Sequence, residues 1–193
     1  DVPDPEMIQD FLGDLSDEVD RLTRLVERLL TLTKMDANQN APKLTPVDFI
    51  VMLNAVVHKL TPNADLKNIV LYTDFSVDSL HPMMLDYDKI WEAVYNIVDN
   101  AIKYTPDGGF VKLGLELKNQ TVCVHVEDNG PGIPEEEKEH IFERFYRLDD
   151  SRARDTGGTG LGLAIAREAV VLHGGSLYAE NGKQLLSAQH SFA

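Results

Sequence analysis

Residues 87–106, YDKIWEAVYNIVDNAIKYTP, limit what this chain can fold into more than any other stretch. Ile90, Val94, Ile97 and Ala101 recur at helical spacing and form one apolar stripe, which a core must cover. Asn96, Asn100 and Lys103 form a second stripe on another side, at steps of four and three. Asparagine is a mediocre helix former, so two on one face ask for a reason beyond helix stability. A solvated polar face is one reading. The other is a row of amide oxygens and an ammonium that holds hydrated Mg²⁺ and nucleotide phosphates, because Mg²⁺ prefers oxygen ligands and keeps several waters.

The segments around this helix supply a second layer. GFVKLGLEL and TVCVHVED alternate on either side of a turn-like KNQ and predict an antiparallel hairpin. IVLYTDF (69–75) reads as a strand and MML (83–85) as a short one. A helix is expected from Asp48 to about Leu60, ending before Pro62, and another over 160–173, stopped by His173-Gly174-Gly175. The tail from about 176 predicts one or two edge strands. Strands without regular βαβ alternation point to the α+β class, a two-layer sandwich with helices packed on a mixed sheet.

Ahead of this lies a different pattern. Ile8, Leu12, Leu15, Val19, Leu22, Val26 and Leu29 alternate steps of four and three, a heptad seam over three repeats. One helix cannot bury its own stripe, so residues 1–36 are expected to seek a partner helix or a second copy. ANQNAPKLTP (37–46) is polar, holds two prolines and reads as a linker, leaving 47–193 as the main domain. The formal net charge of −14 argues against nucleic acid as a partner. A single cysteine, Cys123, cannot close an internal disulfide, and no run approaches the roughly 20 apolar residues of a membrane span.

Three further stretches carry chemistry. In VEDNGPGIP (126–134), Asp128 ends a strand just before a turn with Gly130 and Gly132, which puts a carboxylate beside backbone that a flat ligand can approach. HIFERFYRLDD (140–150) sets Phe142, Phe145 and Tyr146 among Arg144 and Arg147; the plain reading is a helix end packing aromatics on the core. SRARDTGG (151–158) is polar and glycine-terminated, as a lid over a ligand would be. It runs into DTGGTGLGLAIA (155–166), where Gly157, Gly158, Gly160 and Gly162 open a helix and would set its N–H groups against phosphate oxygens. The spacing fits neither a dinucleotide fingerprint nor a P-loop: Leu163 stands where the third glycine belongs, and Gly162 is followed by Leu163 and Ala164 instead of Lys and Ser or Thr.

In order and spacing, NxxxNAxKYTP, DNGPGIP, ERFYR and GGTGLGLAI resemble the nucleotide-binding boxes of bacterial two-component sensor histidine kinases, over about 45–182. DEVDRLTRLVERLLTLTKMD is similar to the second helix of their dimerisation and histidine-phosphotransfer hairpin. The resemblance implies the two-layer α/β sandwich shared by gyrase and these kinases, with ATP and Mg²⁺ as cofactors. It implies that Asp128 accepts from the adenine amino group, that Asn100 ligates Mg²⁺, and that Asn96 and Lys103 support the phosphates. Tyr104 would lie near the ribose or base, with Gly130 and Gly132 shaping the adenine pocket, and Ile133 and Phe145 would also be among the nucleotide-binding residues. Gly158, Gly160 and Gly162 would hinge the lid and meet the phosphates, Thr159 and Leu161 between them would also bind the nucleotide, and Arg147 and Arg144 would reach the γ-phosphate or the hairpin.

Related ATPases such as DNA gyrase place a water-activating glutamate one turn before the magnesium asparagine. Here that position is Asn96, an amide with no lone pair basic enough to take a proton at neutral pH. The expectation is therefore a kinase that passes the γ-phosphoryl group to a histidine of the hairpin, in a homodimer, for relay to a response regulator. An ATPase clamp or chaperone module, or a kinase-dead adaptor, are the alternatives. None of His58, His81, His125, His140, His173 and His190 stands in an acceptor context, so the chain is expected to be a fragment without the acceptor. The resemblance implies that it is the cytoplasmic portion of a protein anchored in the inner membrane.

Overall fold

In the computed structural model the described residues are 41–118, 121–148, 159–180 and the backbone of 183–189, with five single positions before them. The chain divides into two compact units, Asp1–Asn40 and Ala41–Ala193. In the first, the described Gly13, Glu18, Val19, Thr23 and Val26 are helical, and Thr23 Oγ1 donates to Val19 O at 2.8 Å. Val19 and Val26 of the heptad seam are exposed. The rest of the seam lies outside the described residues.

The second unit has the expected two layers. Strand β1 (Thr45–Val47) leads into helix α1 (Phe49–Asp65); strands β2 (Val70–Phe75) and β3 (Met83–Leu85) precede helix α2 (Tyr87–Tyr104). The hairpin β4 (Phe110–Lys118) and β5 (Thr121–Asp128) follows, then two short 3₁₀ turns, helix α3 (Gly162–Leu172), and strands β6 (Ser176–Glu180) and β7 (Lys183–Gln189). The main sheet runs β2-β4-β5-β7-β6, with β2 parallel to β4 and the other pairs antiparallel; β1 and β3 form a small separate ladder. The inward residues Val111, Leu113, Leu115, Val122, Val124 and Val126 share one core with Leu53, Val56 and Leu60 of α1, the apolar stripe of α2, and Ala166 and Val170 of α3. Each fully buried Leu, Ile or Val side chain contributes about 1.5–3 kcal/mol. On the outer face, Lys112 of β4 pairs with Glu127 of β5 at 2.8 Å, and the His125 ring lies across Gly114, where a side chain would collide with it.

Three local expectations are corrected. Helix α1 does not end before Pro62 but runs to Asp65. Proline removes one helical hydrogen bond, yet stopping there would expose Ala64, which is fully buried beyond it. The predicted linker ends early, because Thr45 and Pro46 are already in β1, opposite Leu85 and Met84. The tail does not form edge strands only. β6 is the edge, and β7 inserts between it and β5, pairing with β5 from Thr121 to Glu127.

Asp86 anchors the start of α2. Its carboxylate accepts from Lys89 N at 3.3 Å, as an N-cap, and from Lys43 N at 2.9 Å; its own N–H donates to His173 Nε2 at 3.0 Å. His173 Nδ1 is 2.7 Å from Ala169 O, so the bond network calls for a neutral ring protonated on Nδ1. Burial alone would raise the Asp86 carboxyl, but the two N–H donors and the positive charge nearby outweigh it and hold its pKa below the ordinary 3.8. Its contribution to stability is therefore present above the unfolded pKa and lost as pH falls through the lower folded one. Asp86→Ala is expected to cost about 1–2 kcal/mol at pH 7, seen in thermal melts, with the gap to wild type closing only below about pH 4.

Candidate functional site

The α2 helix ends where the site begins. Thr105 precedes Pro106, and a residue before proline is pushed out of the helical region; Thr105 is accordingly extended, with ψ at 132°. The chain then turns through 106–109 into β4, and β5 returns to end on Asp128, opposite Val111. Asp128 Oδ1 accepts the N–H of Gly130 at 2.8 Å, closing the turn on itself. A side chain at Gly130 would come 2.8 Å from that oxygen and 3.1 Å from Tyr104 O, so it would press the carboxylate out of place and crowd the end of α2. Gly132 has a φ of +75° and open space around it, a left-handed position that glycine takes at no steric cost. Burial raises the Asp128 pKa above 3.8, the Gly130 N–H opposes this, and the Glu127 charge adds to it.

At the other end, the polar stripe of α2 meets the first turn of α3. Gly162 opens α3 and faces Asn96, which a side chain there would touch at 3.5 Å. Its N-cap residue, Leu161, has no side-chain acceptor to give, so among the described residues no side-chain cap meets the first N–H groups of α3. Leu161 is itself buried in the core, which leaves only its backbone to meet a ligand. Asn96 and Asn100 are both half-buried on α2.

The two sides of the loop between the aromatic box and α3 are pinned together. Phe145 N donates to Gly160 O at 2.8 Å, with φ at +68° for Phe145 and +69° for Gly160. A left-handed phenylalanine is costly and persists only where its surroundings fix it. The aromatic box is not the end of an α-helix, as its plain reading had it: His140–Phe142 is a single 3₁₀ turn and the chain then runs irregularly. Phe142 is buried beneath the Arg167 guanidinium at 5.4 Å, whereas Phe145 is exposed.

The structure thus brings Asn96 to Gly162, Tyr104 and Asp128 to Gly130, and Phe145 to Gly160. Ile133 packs half-buried against the core, and Thr159 and Arg147 are half-buried. Lys103 bonds instead to Asp99 at 2.6 Å, one turn back along α2, and Arg144 faces Glu168 of α3 at 3.6 Å. Gly158 lies outside the described residues. Asn129, in the same turn, has a role that its motif does not announce: its Oδ1 accepts Phe110 N at 2.7 Å and ties the Asp128 turn to the start of β4. Only the preference of asparagine for turns hinted at it.

A two-layer sandwich with an acidic, glycine-containing turn at the end of one helix and a glycine-opened helix against the polar middle of the same helix fits an ATP-binding class. Residues 85–188 match the family described as histidine kinase-, DNA gyrase B-, and HSP90-like ATPase, and the chain belongs to that family. It is 34% identical over 173 residues to the sensor histidine kinase WalK of Bacillus subtilis, covering 89% of this chain and 28% of that protein. To the signal transduction histidine-protein kinase ArlS of Staphylococcus epidermidis it is 35% identical over 186 residues, 94% of this chain and 39% of that one. The chain therefore spans well under half the length of these relatives. Among solved structures, full-length ShkA in complex with AMPPNP superposes with a TM-score of 0.77 at 27% identity, over 96% of this chain and 39% of that one. The nucleotide-free catalytic domain of histidine kinase ThkA gives a TM-score of 0.67 at 30% identity, over 76% of this chain and 95% of that one.

Proposed function

We propose that this chain is the catalytic region of a sensor histidine kinase. It binds Mg·ATP between α2 and α3 and passes the γ-phosphoryl group to a histidine on a phosphotransfer hairpin, for relay to a response regulator. The observation that carries the reading is Asn96 beside Gly162, where α2 and α3 meet. An amide there orients phosphates without taking a proton from water, so the phosphoryl group is kept for a histidine.

Each end of the nucleotide has its partner. Asp128 gives Oδ1 to its own turn, which leaves Oδ2 as acceptor for the adenine amino group. The first N–H groups of α3 suit phosphate oxygens. Mg²⁺ fits the donor set: among the described residues no group of three His, Cys, Asp or Glu forms a cage, and Asn100 offers one amide oxygen. Such a site suits an ion held mainly by phosphates and water, which when bound neutralises charge on the phosphates. Lys103 would leave Asp99 to reach them, and Arg147 would serve the γ-phosphate. Among the described residues no helix is long and apolar enough to cross a membrane. We place this region in the cytoplasm, with an anchor elsewhere in the full-length protein, and assign residues 1–36 to the hairpin, 37–44 to a linker and 45–193 to the catalytic domain.

The test is calorimetry of Mg·ATP binding together with transfer of γ-³²P to a separate hairpin carrying the acceptor histidine. Labelled histidine with negligible phosphate release supports the kinase. Steady ATP hydrolysis without transfer indicates a clamp-type ATPase, and a folded chain that binds no nucleotide indicates an adaptor.

A further inference from the structure

Lys67 lies in the short connection between α1 and β2, outside every nucleotide-binding motif. Its ammonium donates to the carbonyls of Ile102 (2.9 Å), Lys103 (3.0 Å) and Thr105 (2.5 Å) at the end of α2. An ammonium has three protons, and here all three go to main-chain oxygens. A cation also suits this place electrostatically, since unpaired carbonyls make the C-terminus of a helix negative. The lysine's own carbonyl accepts Gly108 N at 2.9 Å, so one residue holds both the end of α2 and the turn into β4.

The bonds bracket Tyr104. The carbonyls on either side of it, at Lys103 and Thr105, are drawn to Lys67, while Tyr104 O itself lies against Gly130, 3.1 Å from where a Cβ would be. That peptide is one wall of the turn that carries Asp128. From this geometry we infer that Lys67 is a positioning residue for the adenine end of the nucleotide site: it fixes the Tyr104 main chain against the Asp128–Gly130 turn and so sets where Asp128 meets the base. The inference rests on the ATP-binding reading above. Arginine cannot replace the lysine, because a planar fork does not match three carbonyls gathered around one nitrogen.

Lys67→Met keeps the aliphatic stem and removes the donors. It is expected to weaken Mg·ATP binding to the 193-residue chain about tenfold, the scale of losing charge-assisted bonds that hold a site. A mere loss of stability would leave base discrimination intact; a loosened adenine wall would not. The deciding readout is the ratio of GTP to ATP dissociation constants by calorimetry, expected to be well above one in the wild-type chain and to fall toward one in both Lys67→Met and Lys67→Arg. If Lys67→Met does not fold, Lys67→Arg carries the test alone. A wild-type chain that binds ATP, with variants that keep its affinity and base ratio, overturns the role of Lys67 and leaves the ATP reading standing. A folded wild-type chain that binds no nucleotide overturns both.

Discussion

Asp128→Asn is expected to weaken Mg·ATP binding about a hundredfold, because an amide N–H₂ would face the adenine amino group, donor against donor, in a half-buried pocket. The same change should raise the melting temperature of the nucleotide-free chain. Burial raises the Asp128 pKa above 3.8, so ionisation at neutral pH works against folding. A group of this kind contributes stability fully below its unfolded pKa and loses it as pH rises through the folded value. The gain in Asp128→Asn is therefore largest at neutral pH and disappears as pH is lowered past about 3.8. The turn survives, since the asparagine oxygen can still accept the Gly130 N–H. Calorimetry and pH-dependent melts read both effects. Near wild-type affinity in the variant would remove Asp128 from the adenine site.

Gly160→Ala is expected to cost about 3 kcal/mol, from a left-handed conformation and a collision with main chain combined. At a φ of +69°, a methyl group would lie 2.8 Å from the Phe145 carbonyl carbon and 3.0 Å from Tyr146 O. Backbone cannot rotate aside as a side chain can, so the Phe145 N–Gly160 O bond must stretch. Gly132 supplies the control. It has a similar φ of +75° with nothing within 4 Å, so Gly132→Ala should cost only about 1 kcal/mol. Thermal melts should separate the two by about 4–8 °C. Equal losses would mean that the pin between the aromatic box and α3 contributes nothing beyond glycine's own freedom. Since Gly160 leads into α3, its substitution should also weaken ATP binding, whereas Lys67→Met acts at the base end.

Some of this was readable because it is written locally. Helix α2 spans 87–104 as its 3.6-residue stripes require, and the hairpin β4–β5 follows the alternation on either side of its turn. Asn96 and Asn100 share a stripe for the same reason. Pro62 misled because the cost of a proline in a helix is local, whereas the burial of Ala64 that opposes it is not. The aromatic box misled because 140–148 has helix-forming residues but spends them on contacts with α3, such as Phe142 beneath Arg167.

By itself the sequence determined the two-layer class, the elements with clear periodicity, the turn that carries Asp128 and the absence of a carboxylate at position 96. These follow from neighbours within about one helical turn or one strand pair, where spacing dictates geometry. Only the tertiary structure decided that β7 lies between β5 and β6, that His173 receives the N–H of Asp86 across 87 residues, and that Lys67 closes α2 from 35 to 38 residues away. No periodicity marks such partners, because a strand edge, a ring nitrogen or a row of carbonyls accepts whichever donor the finished fold brings within reach.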